Sequence, residues 1–162
     1  MATRPRTQWE LRRRLQRAGA DDELIDATLE RLAGMGLADD LAFARWWAEQ
    51  RDRHSPRGRR MVEAELRQRG VPREVIEELR GTEIAEPAFP DEQLPQNEAE
   101  RARVALERHL RGRPVPDDRR AQQRIGMFLV RRGFDPETVR ATMRAATAGP
   151  PGPDTEPMDD EG

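Results

Sequence analysis

Apolar residues recur along this chain at intervals of three and four, the period that lays one stripe down a helix. No segment alternates apolar and polar positions as a half-buried strand would. "TQWELRRRLQRA", from Thr7, places Trp9, Leu11 and Leu15 on one such stripe, with Thr7 as N-cap, Glu10 at capping-box spacing and Gly19 to end it. Asp21 or Asp22 starts a second helix carrying Leu24, Ile25, Thr28, Leu29 and Leu32, and Gly34 and Gly36 break it. Asp39 and Asp40 open a third, with Leu41, Ala44, Trp47 and Ala48 as its core stripe and Phe43 and Trp46 at the flanks. A fourth is expected to have Ser55 as N-cap and Pro56 at its first position, to carry Met61, Val62, Glu65 and Leu66, and to stop at Gly70. Val71-Pro72 starts a short fifth helix with Val75, Ile76 and Leu79. A sixth begins near Asn97 with Ala99, Ala102, Leu106 and Leu110 on one side. Asp117 or Asp118 opens the seventh, with Ile125, Phe128 and Leu129 inward and Gly133 as its stop. Asp135-Pro136 caps the eighth, with Val139 and Met143 inward.

One phrase occurs three times: "RLQRAGADDELI" from Arg14, "ELRQRGVPREVI" from Glu65 and "FLVRRGFDPETV" from Phe128. Each has a Leu four residues before a Gly and a β-branched residue six after it (Leu15/Gly19/Ile25, Leu66/Gly70/Ile76, Leu129/Gly133/Val139). The glycine permits the positive φ that closes one helix, and the Asp or Pro after it starts the next. The phrase is therefore the joint between the second and third helices of a repeated three-helix unit. Residues 1–38 supply a truncated first repeat of two helices, 39–80 a second repeat and 97–148 a third. Residues 81–96, with three Pro and no Arg after Arg80, form an acidic linker, and 149–162 have the composition of a disordered acidic tail. The expected fold is all-α, an elongated, curved array of tandem three-helix repeats that gains stability by stacking.

Composition sharpens this picture. With 35% hydrophobic against 37% charged residues, thin helical layers suit the chain better than one deep core. The absence of Cys excludes disulfides and thiolate metal sites. "MATRPRTQWE" has no apolar signal region and no run of eighteen apolar residues exists, so a cytoplasmic monomer without membrane contact is expected. The net charge of −2 hides an uneven distribution, because all 29 basic residues are Arg and most acids outside the helices lie in the linker and tail. Residues 101–148 carry twelve Arg against five acids. Such a basic body suits a phosphate-rich or acidic protein partner, and the tail is expected to compete weakly for it.

Two arginine clusters are the candidate contact residues. Arg51, Arg53, Arg57, Arg59 and Arg60 surround "RDRHSPRGRR", and the last three are expected in a helix first turn, where cations are disfavoured unless an anion meets them. Arg108, Arg111, Arg113, Arg119, Arg120 and Arg124 form the second cluster, with Arg131 and Arg132 as its extension before Gly133. Trp46-Trp47 reads as core and boundary packing rather than a base-stacking platform. The pairs Asp21-Asp22, Asp39-Asp40 and Asp117-Asp118 stand at helix starts and read as caps. His54 and His109 lack ligand spacing, no phosphate-binding G-x-x-x-x-G-K-[ST] loop exists, and no nucleophile–base pattern stands out. A non-enzyme without cofactor or metal is expected.

Three elements carry a family likeness: D-D-x-x-F-A (Asp39, Asp40, Phe43, Ala44), E-L-x-x-[KR]-G-[IV] (Glu65, Leu66, Arg69, Gly70, Val71) and R-R-G-F (Arg131, Arg132, Gly133, Phe134). In this order, across tandem helix triplets, they resemble the RecX family of recombinase regulators over about residues 7–147. The resemblance implies binding to the RecA recombinase, above all to its filament on single-stranded DNA, and damping of its ATPase and strand-exchange activities. The alternative from charge alone is a basic helical module that binds single- or double-stranded DNA without a recombinase.

Overall fold

The computed structural model describes residues 5–82 and 94–148. Most of the expected 81–96 linker and all of the expected 149–162 tail lie outside the described residues. Those described form eight helices and no strand: α1 Gln8–Arg17, α2 Asp22–Gly34, α3 Asp40–His54, α4 Arg59–Gln68, α5 Arg73–Gly81, α6 Glu98–Leu110, α7 Arg119–Arg131 and α8 Pro136–Thr147. Short polar side chains start most of them by accepting the first free backbone N–H groups. Thr7 accepts from Glu10, Asp21 from Leu24, Asp39 from Leu41 and Ala42, Asn97 from Glu100, Asp118 from Ala121, and Asp135 from Glu137 and Thr138.

The three repeated phrases fold alike. Gly19, Gly70 and Gly133 take φ of 86°, 76° and 89°. Each donates its N–H to the carbonyl three residues back, and the next residue donates to the Leu five back: Ala20 to Leu15 at 3.1 Å, Val71 to Leu66 at 3.1 Å and Phe134 to Leu129 at 3.3 Å. This paired closure is a Schellman motif, and it accounts for the fixed Leu-to-Gly spacing, because that Leu supplies the accepting carbonyl. Leu66 and Val71, and Leu129 and Phe134, are buried accordingly.

Each complete unit has its own core. Phe43, Ala44, Val62, Leu66, Val71 and Ile76 form one, and Ala102, Ala105, Leu106, Ile125, Leu129, Phe134 and Val139 form the other. Several expected positions differ. Phe43 is fully buried at the centre of its core, not at a flank, while Trp47 and Ala48 pack at the margin. Ala105 is inward where Ala99 was expected, because α6 turns its 102–105–106 stripe to the core and leaves Ala99 exposed. Leu24 is 56% exposed. Gly34 is the last helical residue of α2, and Gly36, at φ 70°, makes the break alone. The largest difference is the start of α4. Ser55 is the C-cap of α3, Pro56 is buried between the helices, and Gly58 is the N-cap of α4, without a side chain to cap it.

Gly58 gives up a cap because the next unit occupies its place. Its N–H donates to the Arg132 carbonyl at 2.8 Å, and the Arg59 N–H donates to the Glu98 carboxylate at 3.0 Å. The first and second units meet the same way. Thr7 Oγ1 donates to the Arg69 carbonyl at 2.8 Å, and the Gln8 N–H donates to Asp40 Oδ1 at 2.9 Å. In both junctions a glycine joint and an acidic first-helix residue of one unit cover the N-terminus of the middle helix before it. Asp52 and Arg101, largely buried and 3.0 Å apart, add an ion pair across the second junction.

The close approach excludes side chains. A Cβ on Gly58 would lie inside the backbone of Gly133 and Phe134, and one on Gly133 would come within 2.5 Å of Met61 Cβ. Gly58 has φ −65°, a conformation that any residue adopts, so its substitution probes the junction alone. Gly58→Ala is expected to cost about 1–3 kcal/mol through overpacking, whereas Gly34→Ala, with open space around it, should be neutral or mildly stabilising. Chemical denaturation of both variants checks this.

Burial raises the pKa of Asp40 above the ordinary carboxylate value, against the opposing pull of the Gln8 N–H. The folded chain thus holds this proton to higher pH than the unfolded chain, and ionising Asp40 removes stability as pH rises through that interval. Asp40→Asn keeps an acceptor for Gln8 and has no proton to lose. Its stability relative to the wild type should therefore improve between about pH 3 and pH 7, and parallel denaturation profiles across that range would contradict the assignment.

Candidate basic interface

The first arginine cluster is organised by Glu65. This α4 carboxylate, with only 11% of its side chain exposed, accepts from Trp47 Nε1 and Arg51 Nε, each at 2.8 Å, and from Arg57 Nη1. Arg51 and Arg69 lie over the Trp47 ring at 4.6 and 3.8 Å, and Phe43, Trp46 and Trp47 pack as a group with ring centroids about 6 Å apart. The tryptophan pair is therefore packing. Arg51 and Arg57 are committed to an internal carboxylate. Because α4 starts at Arg59, Arg57 precedes the helix and is not in its first turn as expected. Arg59 and Arg60 do occupy that turn and are exposed, and Arg53 is half-buried in the last turn of α3.

The second cluster is more open. Arg108 lies near the end of α6, and Arg111 is its left-handed cap at φ 52°, followed by Gly112 at φ 77°. Arg113 Nε donates to the Leu110 carbonyl at 3.1 Å and helps to close that end. Arg119 and Arg120 stand in the first turn of α7, which has no acidic residue, and Arg124 follows one turn later. All six, and Arg131 in the last turn, are exposed, and none pairs with a carboxylate among the described residues. Arg119 and Arg120 face the positive end of the helix dipole, a position that disfavours cations until an anion binds.

Arg132 joins the two clusters across the unit junction. Its Nη1 donates to Ser55 Oγ at 2.7 Å and to the Pro56 carbonyl at 3.3 Å. Its guanidinium lies 4.9 Å from the centroid of Phe128, which stacks on His109 at 3.9 Å. Burial, and then the nearby charges of Arg57 and Arg108, lower the Arg132 pKa from its ordinary value. Arg132 of the third unit thus meets the Ser55–Pro56 turn of the second, 77 and 76 residues away in sequence. The charge pattern alone located these arginines but missed Glu65, Ser55, Phe128 and His109. The glycine joint was the available signal, since it docks Arg132 against the Ser55–Gly58 turn. Among the described residues no helix is long and apolar enough to cross a membrane, and no three His, Asp or Glu side chains gather to hold a metal ion.

Comparison with known proteins agrees with this architecture. Family models match three consecutive segments: the first three-helix domain of RecX over residues 1–32, the second over 39–79 and the third over 96–143. The chain is 35% identical over 146 residues to a regulatory protein RecX of Prosthecochloris aestuarii, covering 88% of this chain and 85% of that one. It is 34% identical to the protein of that name from Mycobacterium avium (83% and 72% covered) and 38% identical to that from Halorhodospira halophila (90% and 83% covered). The crystal structure of RecX from Lactobacillus salivarius superposes with a TM-score of 0.70 at 16% identity over 88% of this chain and 86% of that one, which shows a shared fold.

Glu65→Gln should lower stability by about 2 kcal/mol, because two half-buried guanidinium groups lose their carboxylate. It should also shift Trp47 fluorescence, since the indole N–H loses a charged acceptor. Denaturation followed by tryptophan emission reads both effects, and an unchanged midpoint would show that Glu65 does not organise the cluster.

Proposed function

The chain belongs to the RecX family of regulatory proteins, and from that membership we propose that it binds the RecA recombinase in its filament on single-stranded DNA and damps ATP hydrolysis and strand exchange. The reading needs a chain that acts by contact and not by catalysis. The observation that supports it within this molecule is the row of exposed arginines without carboxylate partners on the third unit, Arg108, Arg111, Arg113, Arg119, Arg120 and Arg124, mounted on a body whose units are docked to one another. Such a body presents fixed positive charge to an acidic filament surface or to the DNA within it. Arg51 and Arg57 contribute less directly, because Glu65 holds them.

A second reading has its own support. Arg119 and Arg120, in a first turn without acid, suit the DNA backbone with no recombinase present. A salt series on bare DNA separates the two: tight binding with a steep salt slope favours the nucleic-acid module.

Substoichiometric amounts of the chain should slow RecA-catalysed ATP hydrolysis on single-stranded DNA and shorten filaments. Undiminished turnover with unchanged filament length would refute the filament reading. Reversing Arg119, Arg120 and Arg124 to Glu should weaken inhibition by about tenfold at low ionic strength, since exposed ion contacts contribute about 0–1 kcal/mol each, and the deficit should shrink as salt rises.

A further inference from the structure

We propose that the solvent face of α1 binds a single strand of nucleic acid, with Trp9 as the stacking surface for a base and Arg6, Arg13, Arg14 and Arg17 as contacts for the adjoining phosphates. The site belongs to the first unit, uses none of the arginines of the two clusters above, and needs no recombinase.

Helical spacing assembles the face. Arg6, Trp9, Glu10, Arg13, Arg14 and Arg17 follow one another at steps of three and one, which brings them to one side of α1 and the turn before it. Together they line a groove of about 410 Å³. The side toward α2 is separate, and there Arg12 pairs with Asp26. Trp9, expected on the apolar stripe with Leu11 and Leu15, is instead 41% exposed. Gly70 is the reason. The joint of the second unit presses on the Trp9 side chain so closely that a Cβ on Gly70 would collide with Trp9 Cβ, Cγ and Cδ2. That contact holds the indole by its base and leaves the rest of the ring in the groove. A ring fixed in advance loses little freedom when a base stacks on it. The Arg13 guanidinium lies 4.7 Å from the ring centroid, so one face of the indole has room for a planar group.

The charge of the groove is open. Glu10 is the one acid in the lining, and it faces Arg69 of the second unit at 3.6 Å. Arg6, Arg13, Arg14 and Arg17 are exposed and have no carboxylate partner among the described residues. The helix dipole accounts for Arg14 and Arg17, which stand in the last turn. It does not account for Arg6, which precedes the helix at its positive end. Cations around an exposed indole suit a single strand, because every base offers a π-face and every nucleotide a phosphate. An acidic amphipathic helix fits less well. Such a helix docks through several apolar anchors one turn apart, and Trp9 is the single apolar residue of this lining.

The test titrates a short oligothymidylate into the full chain and follows tryptophan emission and the indole Nε1–H resonances. The strand should quench emission and shift the Trp9 resonance. Those of Trp46 and Trp47, which pack with Phe43, should stay in place. Trp9→Phe keeps the atoms that meet Gly70, so the fold should survive and the quench should disappear. Arg14→Gln combined with Arg17→Gln should weaken affinity about fivefold and lower the salt slope by about 1.4, the release expected for two single-strand phosphates. Arg73→Gln, whose native side chain bonds Glu77 on α5, should match the wild type. An unmoved Trp9 resonance in the wild type, a quench that persists in Trp9→Phe, or wild-type affinity and slope in the double variant overturns the proposal. So does an oligoglutamate of equal charge that quenches as strongly at the same concentration, since the face would then take acidic polypeptide. The readout is Trp9 itself and no recombinase is present, so a negative result removes this site and leaves the filament assay to decide the proposed function.

Discussion

The arrangement of this molecule depends on one close contact, made twice: the left-handed glycine joint of the second and of the third unit seated on the start of the middle helix before it. At the second junction two glycines meet, and the Gly58 N–H reaches the Arg132 carbonyl directly. The contact does three things together. It satisfies a helix N-terminus that has no side-chain cap, it satisfies a helix C-terminal carbonyl, and it leaves no space for a Cβ on either glycine. Glu98 and Asp40 complete the pattern by accepting the next N–H group. Units with small cores of their own thus acquire polar, directional fixings to their neighbours, and the cost of burying Asp40 and Glu98 shows in their raised pKa values.

Charge is placed on that frame unevenly. The second unit neutralises its arginines: Glu65 gathers Arg51 and Arg57, and Glu63, almost fully buried, accepts from Arg80 at 2.5 and 2.6 Å and from Arg67 at 3.1 Å. Those contacts hold Glu63 below the ordinary carboxylate pKa. The third unit has few acids and leaves Arg108, Arg111, Arg113, Arg119, Arg120, Arg124 and Arg131 in solvent. Arginine suits both roles, since its planar fork stacks on Trp47 and Phe128 while bonding at its edge.

The helices and joints were legible in the sequence because they rest on local rules. A Leu, a Gly four residues on, and an Asp or Pro soon after specify a Schellman closure and the next cap without reference to any other part of the chain. The start of α4 was misread for the opposite reason. Ser55-Pro56 is a good local cap signal, but the real start at Gly58 is set by Arg132, 74 residues away. Phe43 was placed at a flank because periodicity along α3 alone does not say which face α5 will cover. The candidate arginines were found by charge, yet their division into neutralised and open groups required Glu65 and the junction, neither of which a charge count contains.

The N-caps of the three middle helices show how one position sorts these roles. Thr7 caps its own helix and also donates to the next unit, so it serves both. Gly58 has no side chain, and α4 therefore relies on the following unit for Arg132 and Glu98. In the third unit the position is Asp118, whose carboxylate accepts from the Ala121 N–H at 2.9 Å. A helix capped by its own aspartate needs no neighbouring carboxylate at its start. Arg119 and Arg120 occupy the positions equivalent to Arg59 and Arg60, but where the Arg59 N–H is covered by Glu98, the first turn of α7 faces solvent with two cations on it. At the equivalent N-cap, then, Gly58 is closed by the following unit and Asp118 closes its own helix, with Arg119 and Arg120 left in solvent.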